Sequence, residues 1–188
     1  MKINTRDMIL VALFAAMTAV GAFISIPVGP APITMQLLFT IMAGVFLGSR
    51  LGALSQILYV TMGLIGLPVF AGGSGGFQHI FSPSFGYLLG FIAASFVVGL
   101  ILEKDEKPGF AKILFACLAG TAVIYALGYP YLYFVLAKVN GAAVTLSGLL
   151  RPAVLIFLPG DAAKCLIASF LGNKLVHVVK KSDSRKAA

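Results

Sequence analysis

The segment "IFLPGDAAKCLIASFLG", residues 156–172, places a carboxylate and an ammonium group three positions apart in an otherwise apolar run. On a helix that spacing puts both side chains on one face. Asp161 can accept two N–H donors, and Lys164 can pair with a ligand carboxylate or hold Asp161 in place. Two readings stand side by side. Pro159-Gly160 ahead of Asp161 is a helix-start signal, which makes the aspartate an N-cap with a local lysine partner. Ionisable groups inside an apolar span are costly and mark functional sites. Capping accounts for Asp161 but not for a lysine turned toward other helices, which favours a ligand site.

Other polar groups are sparse. Gln36, in "PITMQ", falls in the first turn of an apolar segment, where it either satisfies a helix start or hydrogen-bonds a ligand. "AGGSGG" (Ala71–Gly76) reads as a flexible hairpin or as a lid, in which Gly72, Gly73 and Ser74 let the backbone approach a ligand or swing aside. It is not a phosphate loop; no G-x-x-x-x-G-K-[ST] occurs in the chain, so the protein is not expected to hydrolyse nucleotide by itself. Tyr87, in "SFGYLLGF", is an interfacial anchor or a ligand contact. His79 has no Cys, Asp or Glu beside it in sequence and His177 lies near the C-terminus, so no metal site is expected. Cys117 and Cys165 read as small core residues. With no Ser/His/Asp or Cys/His arrangement, the residues favour binding and translocation over catalysis: not an enzyme, and no cofactor.

The elements that must position these groups are membrane spans. Of 188 residues 60% are hydrophobic and 11% charged, and the mean hydropathy is +1.02. No Asp, Glu, Lys or Arg occurs from Met8 to Ser49 or from Leu51 to Leu102. Each run is long enough for two crossings at roughly 20 residues per helix. The N-terminal apolar stretch is too long for a signal-peptide core and is read as a retained first span. Breaks predict an all-α membrane protein, a single integral domain over 1–188 with six spans at about 7–26, 33–48, 51–67, 85–102, 110–137 and 161–180. "GSR" (Gly48–Arg50) is the tight turn between the second and third spans. Residues 138–160, interrupted by Gly141, Gly148, Pro152, Pro159 and Gly160, either begin a longer last helix or pack over the others as an interfacial piece. The basic tail 181–188 is expected to be solvated and mobile.

Lys and Arg counts set the expected orientation. With the N-terminus cytoplasmic, that side holds Lys2, Arg6, Arg50, Lys104, Lys107, Lys112, Lys174, Lys180, Lys181, Arg185 and Lys186, against Lys138 and Arg151 outside. Both termini are therefore expected inside, in the cell membrane. The net charge of +8 reflects topology and contact with anionic lipid, not nucleic-acid binding. On the first span, Ala12, Ala16 and Ala19 run beside Ala15, Ala19 and Ala22; small residues at this spacing admit a second helix, from within the bundle or from a partner.

"PITMQLLFTIMAGVFLGSRLGALSQILYVTMGLIGLPVFAGGSGG", "FSPSFGYLLGF" and "LPGDAAK" together resemble the biotin-specific S components of energy-coupling factor (ECF) transporters, the BioY family. The resemblance implies a six-helix bundle that captures biotin from outside as the substrate-binding subunit of an uptake transporter. It implies work with a transmembrane coupling subunit and two cytoplasmic ATPases. It places Asp161 and Lys164 in the biotin site under the lid Ala71–Gly76, which carries Gly72, Gly73 and Ser74; Gln36 and Tyr87, read from their positions above, are the further substrate-binding candidates. It makes Ala12, Ala15, Ala16 and Ala19 the docking face for the coupling subunit. An S component for another small vitamin, and a membrane assembly scaffold, are the competing readings.

Overall fold

The computed structural model describes residues 4–28, 31–105 and 107–184, with side chains through Val176. The first helix, α1, spans Thr5–Phe23. It begins ahead of the expected position because Asn4 and Asp7 form a reciprocal capping box: the Asn4 side chain accepts from the Asp7 amide at 2.9 Å, and the Asp7 carboxylate accepts from the Asn4 amide at 3.2 Å. Its end is also earlier than expected. β1 (Ser25–Ile26) pairs antiparallel with β2 (Ile33–Thr34), with Ser25 opposite Thr34 and Ile26 opposite Ile33. That pairing takes Ile33 and Thr34 out of the second span, which starts at Gln36 rather than at 33.

The second and third spans are the two arms of α2, Gln36–Leu64. The helix reverses at Gly48, whose φ of 79° and ψ of −175° are open only to glycine at low cost. Were it straight, Gln36 and Tyr59 would stand about 35 Å apart at 1.5 Å per residue. Instead the Gln36 amide donates to the Tyr59 hydroxyl at 2.6 Å. The arms are therefore an antiparallel pair, and the expected turn at Gly48–Arg50 is where the chain folds back. The third span ends at Leu64 rather than 67.

α3 (Phe85–Leu102) lies against this turn. A Cβ on Gly99 would stand 2.1 Å from the Ser49 nitrogen, and one on Gly44 would stand 2.5 Å from the Ser95 carbonyl oxygen. Small residues here permit the backbone approach that membrane helices use for association. The Ser49 amide and hydroxyl both donate to the Glu103 carboxylate, the amide at 2.7 Å. α4 (Phe110–Phe134) follows, carrying Pro130 inside it, and passes into a π-helical turn at Val135–Val139.

Residues 138–160 resolve into a short α5 (Leu146–Leu150), a second π-helical turn (Arg151–Leu155), and the start of α6 (Leu158–Ser184). The axis bends by 42° between these pieces. α6 therefore starts before Asp161, not at it, because the Asp161 amide already donates to the Phe157 carbonyl at 2.9 Å. It extends to Ser184; the rest of the expected tail, 185–188, and the His177 side chain lie outside the described residues.

Among the described residues, α1, the two arms of α2, α3, α4 and α6 thus make a six-helix bundle around one apolar core that includes Phe14, Ile41, Tyr59, Phe91, Val98 and Ile113. One buried polar knot crosses it. Gln56 donates to Thr18 and Ser55 at 3.2 Å each and accepts from Thr40 at 3.1 Å. The helix directions gather the segments 24–28, 31–35, 65–84 and 135–157 at one end of the bundle. The start of α1, Gly48 and residues 103–105 and 107–109 lie at the other.

Candidate functional site

Asp161 sits in the first turn of α6, one turn before Lys164, and both are buried: their side chains keep only 7% and 8% of their accessible surface. One carboxylate oxygen accepts from the Lys164 ammonium at 2.8 Å and the other from the Tyr125 hydroxyl of α4 at 2.5 Å. The carboxylate is therefore held from two helices. The N-cap reading does not describe it, because both oxygens face side-chain donors within the bundle. A charge pair in so apolar a setting needs this geometry and further hydrogen bonds to offset desolvation.

The pair opens into a pocket enclosing about 620 Å³ of empty space, its mouth included. Gln36, Tyr87, Asp161 and Lys164, read from the sequence as candidates, all line it. Gln36 is buried; besides its bond to Tyr59, its amide oxygen accepts from the Thr34 hydroxyl at 2.9 Å. Tyr87 is half-buried and turns toward the pocket. Its ring meets Tyr125 edge-on at 6.3 Å and its hydroxyl donates to the Ala153 carbonyl at 3.0 Å. Leu88, Phe91, Ile124 and Phe157 supply apolar wall.

The glycine-rich loop contributes differently from expectation. Gly72 and Gly73 have φ of 75° and 68° and are exposed, and the Ser74 hydroxyl donates to the Ala71 carbonyl at 3.0 Å. These three form a turn closed by the Phe70 amide on the Ser74 carbonyl at 2.9 Å. The residues of this segment on the pocket wall are Phe70, Ala71 and, from the 3-10 turn Phe77–Phe81, His79. Phe70 is fully inside, its ring over Gly63, where a Cβ would come within 2.1 Å of it. The Tyr59 hydroxyl donates to the Val69 carbonyl at 3.0 Å, so the chain Gln36–Tyr59–Val69 ties this loop to both arms of α2.

Among the titratable residues that line the pocket, Tyr125 and His79 are the ones that sequence reasoning missed. Tyr125 belongs to a series on α4 whose hydroxyls reach three different segments: Tyr125 to Asp161, Tyr129 to the Leu146 carbonyl, and Tyr131 to the Ile80 carbonyl at 2.5 Å. The available signal was the tyrosine-rich run "YALGYPYLY" within a span, since a buried phenol seeks a partner.

On α1, Ala15 and Ala19 are buried in the core, whereas Ala12 and Ala16 are exposed. The parallel row Ala15–Ala19–Ala22 is thus taken up by internal packing. Ala12 and Ala16, one turn apart on the outer side, remain open to a partner.

A membrane bundle with a closed-in, hydrogen-bonded ion pair on its pocket wall defines a solute-binding membrane protein. The sequence model of the BioY family matches residues 1–181, and this chain belongs to that family. It is 37% identical, over 97% of its own length and 93% of the relative's, to the probable biotin transporter BioY of Lysinibacillus sphaericus. It is 44% identical to the biotin transporter BioY of Thermotoga maritima, covering 73% of this chain and 80% of that one. The crystal structure of the S component for biotin from an ECF-type ABC transporter superposes with a TM-score of 0.80 at 29% identity, over 90% of each chain.

Proposed function

We propose that this chain is the biotin-binding subunit of an ECF-type uptake transporter, taking biotin into the pocket around Asp161. The observation that carries the reading is the Tyr125–Asp161–Lys164 constellation, buried at one end of an apolar bundle. Biotin's ureido ring presents two N–H donors, which suit a carboxylate, and its carbonyl suits an ammonium. Lys164 already grips Asp161, so one helix turn can serve the ureido end while the rest of the ligand runs along the apolar wall. Family membership and the biotin S component's shared fold support the same ligand.

The chain acts by binding rather than by catalysis, with biotin as cargo and no cofactor. Its partners are a transmembrane coupling subunit, reached through the exposed Ala12 and Ala16, and two cytoplasmic ATPases. It lies in the cell membrane with both termini cytoplasmic and the pocket at the outer end. The Lys/Arg imbalance supports that orientation: Arg6, Arg50, Lys104, Lys107, Lys112 and Lys174 all lie toward the end opposite the pocket.

A thermal-shift screen of the purified protein against biotin and other small vitamins tests the ligand. Ligand that binds only the folded state stabilises it by RT ln(1 + [L]/Kd), about 2.7 kcal/mol at a hundredfold excess over Kd. Biotin alone is expected to raise the melting temperature by several degrees. A larger shift with a different vitamin reassigns the substrate, and no shift with any of them removes the binding function.

A further inference from the structure

The pocket wall holds a second group able to carry positive charge. His79 sits on the 3-10 turn of the lid, its ring 4.5 Å from that of Phe70 between centroids. Its backbone is occupied, the amide donating to the Gly76 carbonyl at 3.0 Å, but its imidazole nitrogens have no hydrogen-bond partner among the described residues. Burial lowers its pKa from 6.5, which keeps the ring neutral at physiological pH. The other titratable groups on the pocket or against the lid are Tyr59, Tyr87, Tyr125, Tyr131, Asp161 and Lys164. The tyrosines are uncharged near neutrality, and Asp161 and Lys164 cancel.

The ligand-free pocket is therefore neutral overall. Biotin carries a carboxylate, a group that titrates near pH ~4. Drawn inside, it gives the pocket a net negative charge in surroundings that screen poorly, and Lys164 is already committed to Asp161. An unpartnered imidazole on the same wall can remove that imbalance. We propose that His79 sets specificity for a ligand with an acidic tail, taking one proton from solvent as biotin binds and pairing its imidazolium with the carboxylate. The ureido end then meets α6 and α4 while the acidic end meets the lid, so only a ligand with both ends closes the site. This rests on the biotin reading and assigns the tail's partner.

Linkage fixes the sign. The protonated form binds better, so affinity is highest below the pKa of the free pocket and falls as pH rises toward the higher pKa of the complex. The slope reaches at most about tenfold per pH unit. Titration calorimetry on the whole purified protein near pH ~7, in buffers of different ionisation enthalpy, counts the protons taken up per biotin. Uptake approaching one is expected for biotin and none for biotin methyl ester. His79→Gln is expected to abolish uptake, flatten the pH dependence, and lower biotin affinity about tenfold or more at mildly acidic pH. Biotin binding without uptake by the wild type overturns the proposal and leaves the biotin reading standing. Uptake that persists in His79→Gln also overturns it, placing the proton elsewhere. If neither biotin nor its ester binds, the biotin reading falls and this inference falls with it.

Discussion

Each Asp161 oxygen accepts from one side-chain donor and keeps a second lone pair for a ligand, so its removal and the removal of Tyr125 should differ in kind. Asp161→Asn keeps the volume but loses the charge that Lys164 answers, and that the proposed ureido N–H groups would answer, leaving a buried lysine unpaired. Biotin affinity should fall by more than about 1.5 kcal/mol, the lower end for a hydrogen bond to a charged group. Tyr125→Phe removes only the hydroxyl on the second oxygen; it should cost about 0.5–1.5 kcal/mol of affinity and leave Lys164 paired. Calorimetry on the two variants checks the order, and equal losses would mean that the carboxylate's charge contributes nothing beyond its orientation. Asp161, Lys164 and Gln36 were legible in the sequence because polarity in an apolar run is an anomaly. Tyr125 and His79 were not. Tyrosine is ordinary in membrane helices, and with lipid-facing and core-facing sides both apolar, the sequence does not say which way Tyr125 turns. In the sequence His79 is a lone loop histidine; its place on the pocket wall depends on how Tyr59 and Tyr131 tie down the loop through Val69 and Ile80.

At the scale of elements, α1 presents two faces that differ only in what covers them. Ala15 lies fully inside the core and Ala16, its neighbour, is exposed. Ala15→Trp should overpack the bundle at a cost of about 1–3 kcal/mol, lowering the melting temperature and biotin binding together. Ala16→Trp should leave both nearly unchanged while uptake and co-purification of the coupling subunit collapse, because a bulky side chain prevents close helix approach. Undisturbed uptake in Ala16→Trp would move the docking face elsewhere. That the two alanine rows part in this way was beyond the sequence, where both have the same spacing and composition. Span positions were legible because apolar length is a direct requirement of the bilayer. The reversal of α2 was legible because Gly48-Ser49-Arg50 interrupts an apolar run. Residues 138–160 were not, since their path is fixed by hydroxyls from distant helices: Tyr129 on Leu146 and Tyr87 on Ala153.

For the whole molecule, the segments that build the pocket lie at one end, with Lys138 and Arg151, while Arg50, Lys104, Lys107 and Lys112 lie at the other. Ser74 belongs to the glycine-rich loop, while Lys104 is an exposed residue of the turn between α3 and α4, across the bundle. The buried Cys117 and Cys165 will not compete for a bulky reagent. Single cysteines at these two positions should therefore be labelled by an impermeant maleimide from opposite sides of the membrane. Ser74→Cys should react in intact cells, and Lys104→Cys only after the membrane is opened. Charge makes this the expected sense: a reversed insertion would carry Arg6, Arg50, Lys104, Lys107 and Lys112 across the bilayer and leave only Lys138 and Arg151 behind. Biotin should also protect Ser74→Cys, since Ser74 closes the turn that carries Phe70 and Ala71 onto the pocket wall. Labelling of Lys104→Cys in intact cells would invert the topology and turn the pocket toward the cytoplasm, which a subunit that captures its vitamin from outside could not survive.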